Sequence, residues 1–166
     1  MKKIIISIVI IAGISSLEAQ VGMGKASVDG DAILDFPLST AGIILPMVDN
    51  LPTGTAASNG TFLLDKTDLK IKMRENDVWI PLSDAGNLTG TMPNTSAEAG
   101  GGVIIGAPSS PAQGVLVLES AGKALVLPKV NNPVANMKSP VAGTVCYDTV
   151  SKTLAVFDGL KWSFWK

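Results

Sequence analysis

The chain of 166 residues has no histidine at all and only one cysteine. The missing histidine removes the usual general base, the usual partner of a catalytic nucleophile and the commonest zinc ligand. Serine and threonine are plentiful, but without a histidine no obvious base activates their hydroxyls, and no glycine-rich phosphate loop is present. We therefore expect a protein that is not an enzyme, with no catalytic residue, no metal site and no cofactor.

The single cysteine, Cys146, leaves the chain without an internal disulfide. An exported protein of this kind has to be stabilised by packing or by self-association. The simplest interpretation of Cys146 is a small buried apolar residue, and a disulfide between two chains is the alternative.

Charge of one sign is also lacking, because 13 basic residues face 14 acidic ones. Nucleic acid binding needs clustered Lys and Arg that displace counterions from the phosphates, and the sequence has no such cluster. A basic amphipathic helix for a membrane surface is absent too. We expect no nucleic acid partner.

The N-terminus carries the longest apolar run, Ile4–Ile14, after two lysines. This layout predicts a secretory signal peptide over residues 1–19 with cleavage after Ala19. The run is too short to cross a bilayer comfortably, which takes about 20 residues. A retained N-terminal anchor is the alternative. We expect an exported chain, at the cell surface, outside the cell or in the periplasm, that is not an integral membrane protein once the signal is removed.

The rest of the chain contains one unit twice. The segment GIILPMVDN (Gly42–Asn50) returns 82 residues later as ALVLPKVNN (Ala124–Asn132). After one inserted residue the offset is 83, and it aligns Asp65 with Asp148 and Trp79 with Trp162. Because the order of matches is kept over the whole unit, the sequence indicates a tandem duplication.

Each copy is predicted to form short strands. In LKIKMR, the apolar Leu69, Ile71 and Met73 alternate with basic residues, as in a strand with one buried face. Gly and Pro interrupt the chain too often for long helices. The predicted fold is mainly β with little helix: two tandem small β-meander modules, residues 20–82 and 103–166. A Gly/Ser/Thr-rich linker, residues 83–102, is expected to be flexible.

The outer face of the second meander differs from that of the first. Lys70, Lys72 and Arg74 of copy one correspond to Thr153, Ala155 and Phe157, so this hairpin is apolar on both sides. We expect it to be covered twice, by its own core and by either the first copy or an identical chain. The predicted self-association surface is Ala155, Phe157, Phe164 and Trp165.

The matched residues also have two interpretations each. Trp79 and Trp162 could stack on sugar rings, but burial in the core of each unit is favoured. Asp65 and Asp148 could form a carboxylate pair or bind calcium, but an Asx-type turn is strongly favoured because each lies in its own copy.

The repeat resembles a known kind of protein. VGMGKASVDGDAILDF with GIILPMV, and ALVLPKV with GTVCYDTVSKTLAVFDGLKW, are similar to the repeat of secreted, tail-fibre-like surface proteins of Bacteroidota. The family usually has a basic residue after the proline, whereas copy one has Met47 at this position. The resemblance implies β-rich, surface-exposed and often trimeric proteins, without assigning a reaction. Asp148–Val150 fits the short O-glycosylation acceptor pattern of these bacteria.

These observations predict an exported, non-enzymatic surface or matrix protein with a structural or adhesive role. It would self-associate through its C-terminal β-module into a homo-oligomer, of which a trimer is one form. A surface glycan or protein would be its receptor. The alternative is a carbohydrate-binding module that uses exposed tryptophans, Trp79 and Trp162 among them.

Overall fold

The computed structural model describes residues 20–91, 96 and 100–166. The predicted signal peptide lies outside these residues, as do 92–95 and 97–99 of the predicted linker. Within the described part, the chain forms fourteen short strands. They are β1 (Val21–Gly22), β2 (Ala32–Asp35), β3 (Ile43–Ile44), β4 (Met47–Val48), β5 (Phe62–Asp65), β6 (Lys70–Glu75), β7 (Val78–Pro81), β8 (Val103–Ile105), β9 (Leu116–Leu118), β10 (Ala124–Leu125), β11 (Lys129–Val130), β12 (Thr144–Asp148), β13 (Thr153–Phe157) and β14 (Trp162–Trp165).

The described helical segments are short. A 3-10 turn covers Gly54–Ala57, and one α-helical turn covers Pro133–Asn136. The prediction of a mainly β fold with little helix is confirmed.

The first meander is a four-stranded sheet in the order β4-β5-β6-β7. Its last hairpin turns at Asn76 and Asp77, whose φ angles are 48° and 59°. Positive φ at both central residues is the type I′ geometry that matches the twist of paired strands. A two-residue turn therefore joins β6 to β7.

The second meander repeats this pairing in the order β11-β12-β13-β14. Val48 pairs with Asp65 in the first half, and the corresponding Val130 pairs with Asp148 in the second. The preceding hairpins also turn alike, with φ of 61° at Leu69 and 59° at Lys152. The prediction that Leu69 belongs to the alternating strand is wrong, because it lies in this turn and β6 begins at Lys70.

The two halves are joined by strand pairing as well as by sequence. β10 of the second half runs parallel to β2 of the first, and β3 of the first half runs antiparallel to β12 of the second. The main buried cluster is shared between them, with Leu64, Ile71 and Leu82 from the first half and Ala142, Val145 and Val156 from the second. Because the halves share one core, the predicted division into two separate modules is not confirmed.

The second hairpin is covered on both faces by its own chain. Val145 and Val156 pack against the first half, while Cys146 and Ala155 pack with Val130 and Met137 on the other face. The sequence left two alternatives for the additional cover, the first copy or an identical chain, and residues of the first copy pack against this hairpin. Ala155 is fully buried, so its assignment to a self-association surface is wrong.

The start of the predicted flexible linker is held between the two halves. Gly86 N donates to Leu69 O at 2.8 Å, and Asn87 N donates to Asp158 O at 2.9 Å. A Cβ on Gly86 would lie 1.8 Å from Asp158 O, so the backbones approach as closely as glycine allows. For residues 83–91 the expectation of a loose connector is therefore wrong.

No helix in the described ranges has both the length and the apolar character needed to cross a bilayer.

Candidate functional surfaces

Asp65 and Asp148 stabilise corresponding turns. Asp65 Oδ1 accepts from Thr67 N at 2.8 Å, and Asp148 Oδ1 accepts from Val150 N at 2.9 Å. Each carboxylate bonds two residues ahead within its own half, which is the Asx turn that the sequence favoured. The two are not brought together as a catalytic pair.

The charges of these carboxylates are stabilised inside the fold. Burial acts to raise the pKa of Asp148, but hydrogen bonds from Ser151, Val150 and Asn132 outweigh it and hold the pKa below its ordinary value. The pKa of Asp65 is likewise lowered, since Lys72 and Thr67 outweigh the effect of burial. Both side chains therefore serve the backbone as ionised acceptors.

Metal-ligating side chains do not converge in the parts of the chain that the structure describes. No group of three or more His, Cys, Asp and Glu residues there could hold a metal ion. Thr149 of the O-glycosylation pattern is half-buried, and its hydroxyl lies 3.4 Å from Val130 O.

Trp79 and Trp162 lie at corresponding places with different neighbours. Trp162 is opposite Phe157, with ring centroids 5.2 Å apart, and it packs on the cluster around Cys146. Trp79 is opposite Arg74, whose guanidinium carbon lies 5.6 Å from the ring centroid. The first half has Arg74 where the second half has Phe157, so the surface beside Trp79 is polar.

An open cleft of about 460 Å³ lies beside Trp79 in the first half. Its lining includes Leu51–Gly54, Arg74 and Asp77. The Nε atom of Arg74 is buried and has no hydrogen-bond partner among the residues that the structure describes. In the second half the segment that corresponds to Leu51–Gly54 is the helical turn Pro133–Asn136, and the buried Met137 follows it. Met137 packs with Val130, Cys146 and Ala155 in the cluster that Trp162 contacts.

The cleft was only partly predictable. The sequence indicates Trp79 as one candidate for sugar stacking, whereas its alternating pattern places Arg74 on the solvent-facing side of the strand. The aligned pair of Arg74 and Phe157 was the signal that the two tryptophans differ. Trp162, packed in the second half, does not line this cleft.

The C-terminal strand presents apolar side chains at a sheet edge. Phe164 and Trp165 are both more than a third exposed. Trp165 is also anchored, because its Nε1 donates to Leu82 O of the first half at 2.6 Å. Of the predicted self-association residues, these two form exposed surface, while Phe157 is half-buried beside Trp162.

A second exposed apolar surface was missed in the sequence. β8 and β9 form a two-stranded parallel sheet whose Val103 and Leu116 are exposed, and Val115 just before β9 is exposed too. The matching strands β1 and β2 have a third strand, β10, beside them. Sequence reasoning had no signal for this surface, because β2 has to be seen paired with β10 before a neighbour for β9 can be expected.

The chain matches no family model, no curated protein and no solved structure.

Proposed function

We propose that the chain is an exported, non-enzymatic surface or matrix protein with a structural or adhesive role, which self-associates through its second half. The N-terminal pattern supports export. The homo-oligomer, of which a trimer is one form, would present a surface to a glycan or protein receptor.

One observation carries the self-association. Val115 is 68% exposed, whereas Ile33 at the corresponding place in the first half is 2% exposed. The second half exposes apolar positions that the first half buries. Exposed apolar residues at a strand edge are typical of a contact surface. Phe164 and Trp165 extend the exposed apolar surface of the second half.

Sedimentation velocity tests this function. The full chain is expressed and purified in the form that the cell releases, and its sedimentation is followed over a range of concentrations. We expect a shift from monomer to larger species as concentration rises. A single monomeric species at every concentration would contradict the self-association, and retention inside the cell would contradict export.

The cleft beside Trp79 favours carbohydrate binding as a second candidate function. An aromatic ring, a guanidinium and the Asp77 carboxylate line the cleft, and groups of these kinds recognise sugar rings and hydroxyls. Glycan-array binding should be lost in Trp79→Ala and kept in Trp165→Ala, which removes an exposed tryptophan from another surface. Equal binding by both folded variants would exclude the cleft.

A further inference from the structure

The junction between the two halves shows how one repeat joins the next. β10 adds to the edge of β2, and Val126 N donates to Leu34 O at 3.0 Å. With this strand in place Leu34 is 1% exposed. The pairing is parallel, with Leu125 opposite Leu34.

The acceptor edge of this junction occurs again one repeat later. β9 corresponds to β2 and pairs with β8 as β2 pairs with β1, since Val21 is opposite Leu34 and Val103 is opposite Leu116. In the part of the chain that the structure describes, no strand adds to the other edge of β9. Leu116, the counterpart of Leu34, is 46% exposed.

The donor strand of the junction also has a counterpart, β3 in the first half. Leu45 N donates to Gly143 O, so the hydrogen-bonding groups of Ile43 and Leu45 face β12. Successive residues of a strand direct their N–H and C=O groups to opposite sides, so those of Ile44 face away from β12. Ile44 is the counterpart of Val126, and its side chain is 55% exposed.

We propose that copies of this chain associate head to tail, with β3 of one molecule adding to the free edge of β9 of the next in the register that β10 uses on β2. Ile43 then lies opposite Leu116, and Ile44 N donates to Leu116 O. This inference rests on the self-association in the proposed function and gives its geometry. Strand addition of this kind supplies main-chain hydrogen bonds and covers exposed apolar side chains.

The residues on both edges have room for this contact. The inner pair Ala124 and Ala32 corresponds to Gly42 and Gly114, which are smaller. Each molecule carries one edge of each kind, so the contact is heterologous. Such contacts build a ring when the rotation closes and an open series when it does not.

Disulfide cross-linking between two singly substituted proteins tests the register. Ile43→Cys protein is mixed with Leu116→Cys protein under mild oxidation, and Cys146 is left in place because it is buried. We expect a cross-linked dimer that contains one chain of each kind. Ile43→Cys mixed with Val134→Cys is the matched control, because Val134 is exposed but belongs to the helical turn and to neither strand of the proposed contact, and we expect little product.

Charged edge variants give a second test that does not depend on Ile43→Cys folding. Leu116→Lys and Ile44→Lys should each weaken association about tenfold or more, while Val134→Lys should not. Dimers of Leu116→Cys with itself, or association unchanged in both lysine variants, would overturn the head-to-tail geometry and leave the proposed function standing. A wild-type chain that stays monomeric would overturn both.

Discussion

At the scale of single residues, the buried aspartates are the best predicted features of the molecule. Asp65 and Asp148 each accept a backbone N–H two residues ahead, and this needs only the local chain. Their further partners differ, since Asp65 accepts a hydrogen bond from Lys72 Nζ at 2.7 Å and Asp148 accepts one from Ser151 Oγ at 2.6 Å. The turn therefore occurs in both halves, whereas the added partner of the carboxylate differs between them.

Replacing Asp148 by Asn should lower the stability of the protein and make that stability less sensitive to acidic pH. The pKa of Asp148 is held below its ordinary 3.8, so its charge stabilises the fold above that pH and this contribution is lost as pH falls through the folded pKa. We expect Asp148→Asn to lower the free energy of unfolding by about 1.5–3 kcal/mol near neutral pH. Urea unfolding over a pH series checks this.

The control for this variant is Asp49→Asn, because the Asp49 carboxylate is exposed and pairs with Lys66 at the surface. It should change the free energy of unfolding by less than about 1 kcal/mol. An equal loss in the two variants would show that the hydrogen bonds to Asp148 contribute little.

The thiol of Cys146 should be unreactive in the folded chain. Burial raises its pKa to about 11, and the nearby Asp148 charge adds to the shift, so almost no thiolate forms near neutral pH. We expect an aromatic disulfide reagent to modify no thiol in the native protein and one per chain in denaturant. Rapid modification of the native protein would show that the cluster around Cys146 opens readily.

At the scale of elements, β6 and β13 are corresponding strands whose outer faces carry different side chains. Lys72 in β6 bonds Asp65 and Asp68 at 2.7 Å each, whereas the corresponding Ala155 in β13 is buried with Met137. The sequence predicted the inner face of β6, where Ile71 is buried, because alternation is a local signal. What covers Ala155 could not be predicted, since Met137 comes from another part of the chain.

Gly86→Ala should destabilise the protein by crowding the contact between the linker and Asp158, which follows β13. The added Cβ would lie 1.8 Å from Asp158 O, and backbone cannot move aside as a flexible side chain can. We expect a loss of about 1–3 kcal/mol, measured by urea unfolding. Gly122→Ala is the matched control, because a Cβ there meets nothing within 4 Å. A fully stable Gly86→Ala would mean that residues 83–91 can leave the second half freely.

At the scale of the whole molecule, the sequence predicted short strands and little helix but not how the two halves of the chain join. β3 and β10 have two residues each, and their partners lie in the other half of the chain. A strand so short has no periodicity that could identify a partner. For the same reason the exposed edge of β9 became visible only when its counterpart β2 was seen with a third strand.

Because Leu64 and Ile71 pack with Val145 and Val156 in one core, the two halves should unfold together. Trp79→Phe leaves tryptophan fluorescence from the second half alone, and the double variant Trp162→Phe, Trp165→Phe leaves it from the first. Circular dichroism provides each variant's own overall transition as the control. In both variants we expect the fluorescence midpoint in urea to coincide with the circular dichroism midpoint. A fluorescence midpoint well apart from it in either variant would indicate two independent modules, each stable without the shared core.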